Sequence, residues 1–169
     1  AALDAGVKVA ALWCHDWEGI RMTSFGKQLM WDWRYDPNLY PDLPDYTKTL
    51  QQQGIRFLGY INPFLALEGE LYKIARERGF LVLNQAGEEY YVQITDFPAA
   101  ILDLSNPQAV QWIKGVIKEN MLGSGLSGWM ADFGEYLPVD AKLHSGESAE
   151  TYHNRYPAVW SQVNSEAVR

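Results

Sequence analysis

The chain has 169 residues, 47% of them hydrophobic and 21% charged, which suits one ordinary globular domain or part of a larger one and excludes a disordered tract. A net charge of −7 argues against nucleic acid or an anionic membrane surface as partner, and no apolar run is long enough to span a bilayer. A single cysteine, Cys14, excludes an intrachain disulfide and a multi-cysteine zinc site and sets the expectation of a cytoplasmic location.

In chain order, Leu3 to Gly6 reads as the end of a helix and Val7 to Trp13 as a buried strand. Residues 14–41 form a polar, aromatic stretch too long for a plain connection, and such loops are usually functional. Asp42 reads as an N-cap, with Leu43, Tyr46 and Leu50 at helical spacing until Gly54. Ile55 to Ile61 is a second buried strand, stopped by Asn62-Pro63, and Glu68 to Arg78 a helix with Leu71, Tyr72 and Ala75 on one face and Gly79 as terminator. FLVLNQAGEEYYVQI predicts a hairpin turning at Gln85 to Glu88. Asn106-Pro107 opens another helix, whose stripe is Val110, Ile113, Val116, Ile117 and Met121; GSGLS leads into a third buried strand, Gly128 to Phe133. The chain opens on AALDAG and stops at SQVNSEAVR within a helical pattern, so the whole of 1–169 is expected to be a fragment cut at both ends.

Strands alternating with helices predict an α/β fold with a parallel sheet, either doubly wound or part of a (β/α)8 TIM barrel. No GxGxxG follows a strand, which weighs against the dinucleotide-binding version. The polar and aromatic groups cluster after the strands, as CHDW, INPF and ADFGEY, where barrel chemistry sits. A whole barrel needs roughly 250 residues, so the expectation is a partial barrel of about three of eight βα units.

Asp132 ends the third strand among aromatic residues, and Glu135 follows three places on. Glycosidases use a pair of carboxylates in such a setting; equally, Asp132 caps the next segment and Glu135 is solvated. Seven Trp, ten Tyr and six Phe fit a sugar-binding cleft or a dense core alike. Trp13, Trp17, Trp31, Trp33 and Trp129 are candidates for an aromatic wall, with Trp31 and Trp129 facing sugar and Trp112 and Trp160 in the core. His144 and His153 have no metal-ligand spacing with Cys14 or each other, and no cofactor or metal is expected.

The run GWMADFGEYLPVD closely resembles the nucleophile segment of glycoside hydrolase family 31, in its sulfoquinovosidase-like branch. LWCHDWEGIRMTSFGKQLMWDW and GIRFLGYINPF resemble that family in the same order and spacing. The resemblance implies a (β/α)8 barrel and retaining α-glycoside hydrolysis, with Asp132 as nucleophile and Glu135 as a neighbour that orients the site or binds a hydroxyl. It puts the family's acid/base aspartate beyond Arg169.

In the sulfoquinovosidase branch, the loop after the first strand supplies a sulfonate pocket: a glutamine acting through water, an arginine, a backbone amide beside it and a tryptophan three places on. The matching positions here are His15, Gln28, Leu29 and Trp31, and only the tryptophan is kept. A guanidinium gives charge-assisted, forked bonds to an anion, which glutamine does not. Arg21 and Lys27 remain in the loop as surface charges or as cations from another direction, and Asp16 binds a sugar hydroxyl or orders the loop. The resulting expectation is a small-molecule substrate of the α-glucoside type, with an α-sulfoquinovoside as the alternative. A non-catalytic carbohydrate-binding or inactive fragment is the reading from another class, and the 169 residues alone are expected to be inactive.

Overall fold

In the computed structural model, which describes residues 4–94 and 97–169, a three-stranded parallel sheet forms the frame. Strand β1 (Ala11–Trp13) leads to an antiparallel hairpin of β2 (Ile20–Thr23) and β3 (Gly26–Leu29), then helix α1 (Leu43–Gln52) and β4 (Arg56–Ile61). There follow β5 (Phe64–Leu65), α2 (Glu70–Glu77), β6 (Tyr91–Ile94), β7 (Phe97–Ile101) and α3 (Pro107–Val116). A π-helical turn (Ile117–Leu122), β8 (Gly128–Ala131) and α4 (Ala149–Ala167) complete the order.

The sheet order is β1-β4-β8, with Trp13 opposite Leu58 on one side of β4 and Tyr60 opposite Met130 on the other. These are three parallel strands of an open, partial barrel, as the sequence pattern predicts. Successive residues of a strand face opposite ways. Gly59 and Trp129 therefore face the helices, while Tyr60 and Met130 face the other side. Gly59 is small because a Cβ there would lie 2.4 Å from Leu126 and 3.3 Å from the Trp17 indole nitrogen.

Several expectations are corrected. The first strand is Ala11–Trp13 rather than Val7 to Trp13, and it is exposed, because β1 pairs only with β4. The third ends at Ala131 and exposes Met130, having its ladder on one side only. The helix end expected at Leu3 to Gly6 lies partly outside the described residues, and Asp4 to Gly6 form a turn. In α1 it is Thr47, not Tyr46, that is buried between Leu43 and Leu50, bonding the Ser124 carbonyl at 2.9 Å. Asp42 occupies the N-cap with φ 61° and makes no side-chain cap bond. The turn at 84–88 is present, but β6 beyond it pairs with β7 in a small sheet of order β5-β7-β6. The loop 14–41 contains the β2–β3 hairpin, unforeseen in the sequence.

Asn106 caps α3 as expected, its side chain accepting from the Gln108 amide at 2.9 Å. The π-helical turn that prolongs α3 presents Asn120, whose amide donates to the Trp33 carbonyl at 2.9 Å and so fixes the chain leaving the hairpin. Gly123 closes this turn, and a Cβ there would lie 2.1 Å from the Glu119 carbonyl oxygen. Gly123→Ala is expected to destabilise the fold by about 1–3 kcal/mol through overpacking; an unchanged denaturation midpoint would contradict the assigned packing.

Candidate active site

Asp132 directly follows β8, and its amide continues the parallel ladder by donating to the Ile61 carbonyl at 2.9 Å. Alternation along the strand puts its side chain on the face of Tyr60. The Tyr60 hydroxyl donates to Asp132 Oδ2 at 2.8 Å, and the Asn62 amide donates to the Tyr60 oxygen at 3.3 Å. Burial, together with the bond to Asp132, pushes the Tyr60 pKa far above the usual phenol value, so the hydroxyl stays a donor. Tyr60 and Asn62 contact the candidate site, directly and through Tyr60, and the sequence reading did not single them out; the INPF signal located the loop but not the tyrosine before it.

His15 is exposed and packs edge-on against Tyr60, ring centroids 4.4 Å apart, with Trp13 5.3 Å away on its other side. The structure thus brings His15 and Asp132 to the same tyrosine from two strands. Glu135 lies exposed in the turn past Gly134. Asp16 orders its loop, accepting from the Tyr40 hydroxyl and, at 3.4 Å, from the Cys14 thiol. Burial pushes that thiol up to about 11, which keeps Cys14 protonated and unreactive.

In the hairpin, Gln28 stands opposite Arg21. The Met30 amide bonds the Gly19 carbonyl at 3.1 Å, so antiparallel alternation makes Ile20–Leu29 a non-bonded pair and turns the Leu29 N–H away from β2. Arg21 is buried: its guanidinium stacks 4.7 Å from Phe97 and 5.6 Å from Trp31, bonds Glu68 at 2.7 Å and reaches the Leu29 carbonyl at 3.2 Å.

The aromatic wall is corrected. Trp17 and Trp33 are fully buried and Trp31 is 5% exposed, packed on Phe64 and Phe97. A φ of 50° at Trp31 breaks the strand pattern and sends its ring inward. Trp129 lies on the helix-covered face, where its indole donates to Asn164 at 2.8 Å. Neither Trp31 nor Trp129 offers sugar an open ring face; Trp13, 52% exposed and beside His15, does. Trp160 is in the core, and Trp112 packs against it through Phe80.

A cavity of about 640 Å³, lined by residues such as Arg76, Leu81, Glu89 and Tyr91, includes none of these candidates. Glu89 there is already bonded by Arg76, Tyr72 and Tyr91. The Asp132 face is instead an open sheet surface. Among the described residues, no group of His, Cys, Asp and Glu could hold a metal ion, and no helix is long and apolar enough to cross a membrane.

A family model described as the glycosyl hydrolases family 31 TIM-barrel domain matches residues 4–169. Sulfoquinovosidases of Escherichia coli (strain K12) and Agrobacterium fabrum are 48% and 46% identical to the chain, over 98% and 97% of its length. The chain spans about a quarter, 24% and 25%, of those two proteins. A solved family 31 sulfoquinovosidase from E. rectale, in complex with an aza-sugar inhibitor, superposes with a TM-score of 0.94 at 50% identity, covering 99% of this chain and 25% of that one.

Glu18 sits where the loop enters β2. It is 3% exposed and neither carboxyl oxygen has a partner. Burial, with the charge of Asp16 nearby, pushes its pKa up to about 9. The folded chain then holds this proton between about pH 4.5 and 9, where the unfolded chain has lost it, so rising pH across that window removes stability. Glu18→Gln abolishes the dependence. Its gain in Tm over the natural protein is expected to grow from pH 5 to pH 9; a gain equal at both would show that Glu18 is ionised in the fold.

Proposed function

The chain belongs to family 31 of the glycosyl hydrolases, and on that footing we propose that the whole protein is a retaining α-glycosidase with Asp132 as nucleophile. The observation that carries this reading is the carboxylate at the C-terminal end of a barrel strand, held at one oxygen by Tyr60. The bond to Oδ2 orients the carboxylate and leaves Oδ1 for attack. In the first step Oδ1 bonds to the anomeric carbon as the bond to the leaving oxygen breaks, and that oxygen takes a proton from the acid/base group. In the second, water cleaves the glycosyl ester, returns a proton to that group and frees Asp132, so the anomeric configuration is retained. Glu135, exposed one turn on, serves the sugar's hydroxyls or orients the loop rather than attacking.

The substrate class that identities of 46–50% support is the α-sulfoquinovosides. In this reading His15, Gln28, the free Leu29 N–H and the edge of Trp31 surround the sulfonate. A neutral α-glucoside is the second reading, and Gln28 favours it. A glutamine at position 28 supplies no forked cation, and the hairpin's buried guanidinium, Arg21, bonds Glu68 and the Leu29 carbonyl and stacks on two rings, with only its second terminal nitrogen unpartnered.

The deciding measurement compares kcat/KM for 4-nitrophenyl α-sulfoquinovoside and α-glucoside in the whole protein. A sulfosugar preference supports the first reading and a glucoside preference the second. Asp132→Asn is expected to abolish turnover of both, and undiminished activity would overturn the nucleophile assignment. Tyr60→Phe removes one hydrogen bond to a charged group, worth about 1.5–3 kcal/mol, and is expected to lower kcat roughly 10- to 100-fold. Wild-type kcat in that variant would show that Tyr60 does not orient the nucleophile.

A further inference from the structure

The chain around Asp132 is held in an unfavourable conformation. Phe133 has φ 59° and Gly134 has φ 128°, directly after the carboxylate. A left-handed non-glycine residue costs about 1–3 kcal/mol and persists only where its surroundings over-determine it. The surroundings here are one face of α4. His153, Pro157, Trp160 and Asn164 recur at helical spacing and so line up along the helix.

Each touches the nucleophile segment in turn. Asn164 accepts from the Trp129 indole at 2.8 Å, three residues before Asp132. Trp160, 1% exposed, donates its indole N–H to the carbonyl oxygen of Asp132 itself at 3.0 Å. Pro157 lies over Gly134, where a Cβ would come within 2.9 Å of its Cα. His153 donates from Nδ1 to the Leu137 carbonyl at 2.6 Å. Asn164 also donates to the Trp160 carbonyl at 2.9 Å, closing the row on itself.

We propose that Trp160 is a positioning residue for the nucleophile, its indole N–H fixing the Asp132–Phe133 peptide plane so that α4 sets the direction of the Asp132 carboxylate. The inference rests on Asp132 being the nucleophile. The Asp132 amide is fixed by Ile61 and its carboxylate by Tyr60; Trp160 fixes the remaining polar group of the residue. The two backbone bonds fix the direction in which the Asp132 side chain leaves the strand, and the Tyr60 bond opposes its rotation from there. Positioning of this kind acts on the transition state, where a misplacement of an ångström costs orders of magnitude in rate.

Trp160→Phe in the whole protein deletes the N–H and keeps an aromatic ring. The expected result is a fall in kcat of at least tenfold, with KM changed less than twofold. Tyr156→Phe is the control: it is equally buried on α4, and its hydroxyl donates to the Leu102 carbonyl at 2.7 Å, away from the nucleophile segment. It is expected to lose comparable Tm with kcat intact. Asn164→Leu, which releases Trp129, gives a second reading of α4 if Trp160→Phe fails to fold, with kcat again expected to fall and KM to hold. The proposal is overturned if kcat stays within twofold of wild type in the folded variant, or if Tyr156→Phe loses as much. Asp132→Asn run alongside separates the two claims: retained activity there sinks the nucleophile assignment, whereas a dead Asp132→Asn beside a fully active Trp160→Phe sinks only this one.

Discussion

The parallel register between β4 and β8 is the constraint on which the rest depends. It sets Tyr60 opposite Met130, and the Asp132 amide on the Ile61 carbonyl extends it by one step. A shift of a single residue would turn Asp132 toward the helices and Trp129 toward the open face. The same register explains Gly59, since the outward position beside Trp129 has no room for a side chain between Leu126 and Trp17. Site and core are thus specified by one ladder. The carboxylate cannot be re-aimed without repacking the layer behind the sheet.

The tryptophan excess has its explanation in that layer. Trp13 donates to the Gly59 carbonyl, Trp17 to that of Tyr60, Trp33 to that of Phe64 and Trp160 to that of Asp132. Trp17, Trp33 and Trp160 each bury a large apolar body, and all four indoles use the one N–H to satisfy a backbone carbonyl within or just beyond a strand. Barrel chemistry sits where ladder partners run out, so backbone oxygens there need donors. Indoles supply them without bringing a charge into the core. Four of the seven tryptophans therefore hold backbone carbonyls around the strands, and of these Trp13 also keeps an open ring face beside His15.

Much of this was legible in the sequence, and the failures have physical causes. Asn106-Pro107, the stripe from Ile113 to Met121 and the face of Leu71, Tyr72 and Ala75 all stand as the local chemistry dictates. The β2–β3 hairpin was hidden because Ser24-Phe25 is no usual turn pair and Met22 and Phe25 are exposed, so alternation carried no burial signal. β7 was hidden by Pro98, which argues against a central strand. Pro98 is tolerated because β5 pairs only as far as Ala100, which leaves no ladder partner at Pro98 on that side. At the site, the motif located Asp132 and the loop of His15. Tyr60 escaped because it reads as one more apolar residue of a strand, and the burial of the Trp31 ring face was not legible because spacing does not reveal a left-handed backbone.

The hairpin carries the chain's departure from its family's pattern, and its register shows why that departure is stable. All four buried side-chain atoms without a partner, among the described residues, belong to Glu18, Arg21 and Trp31. Such groups cost about 1–3 kcal/mol each and concentrate where a fold serves function over stability. Gln28 stands directly opposite Arg21, and like charges in that relation repel. With Arg21 stacked on Phe97 and Trp31 and bonded to Glu68, a neutral residue at 28 spares the hairpin a second guanidinium across the ladder. What it gives up is a forked cation at the hairpin surface. In the proposed pocket, recognition by Gln28, His15 and the Leu29 N–H would rest on hydrogen-bond direction more than on charge, so discrimination between an anionic and a neutral sugar would depend on geometry that the register of this one hairpin sets.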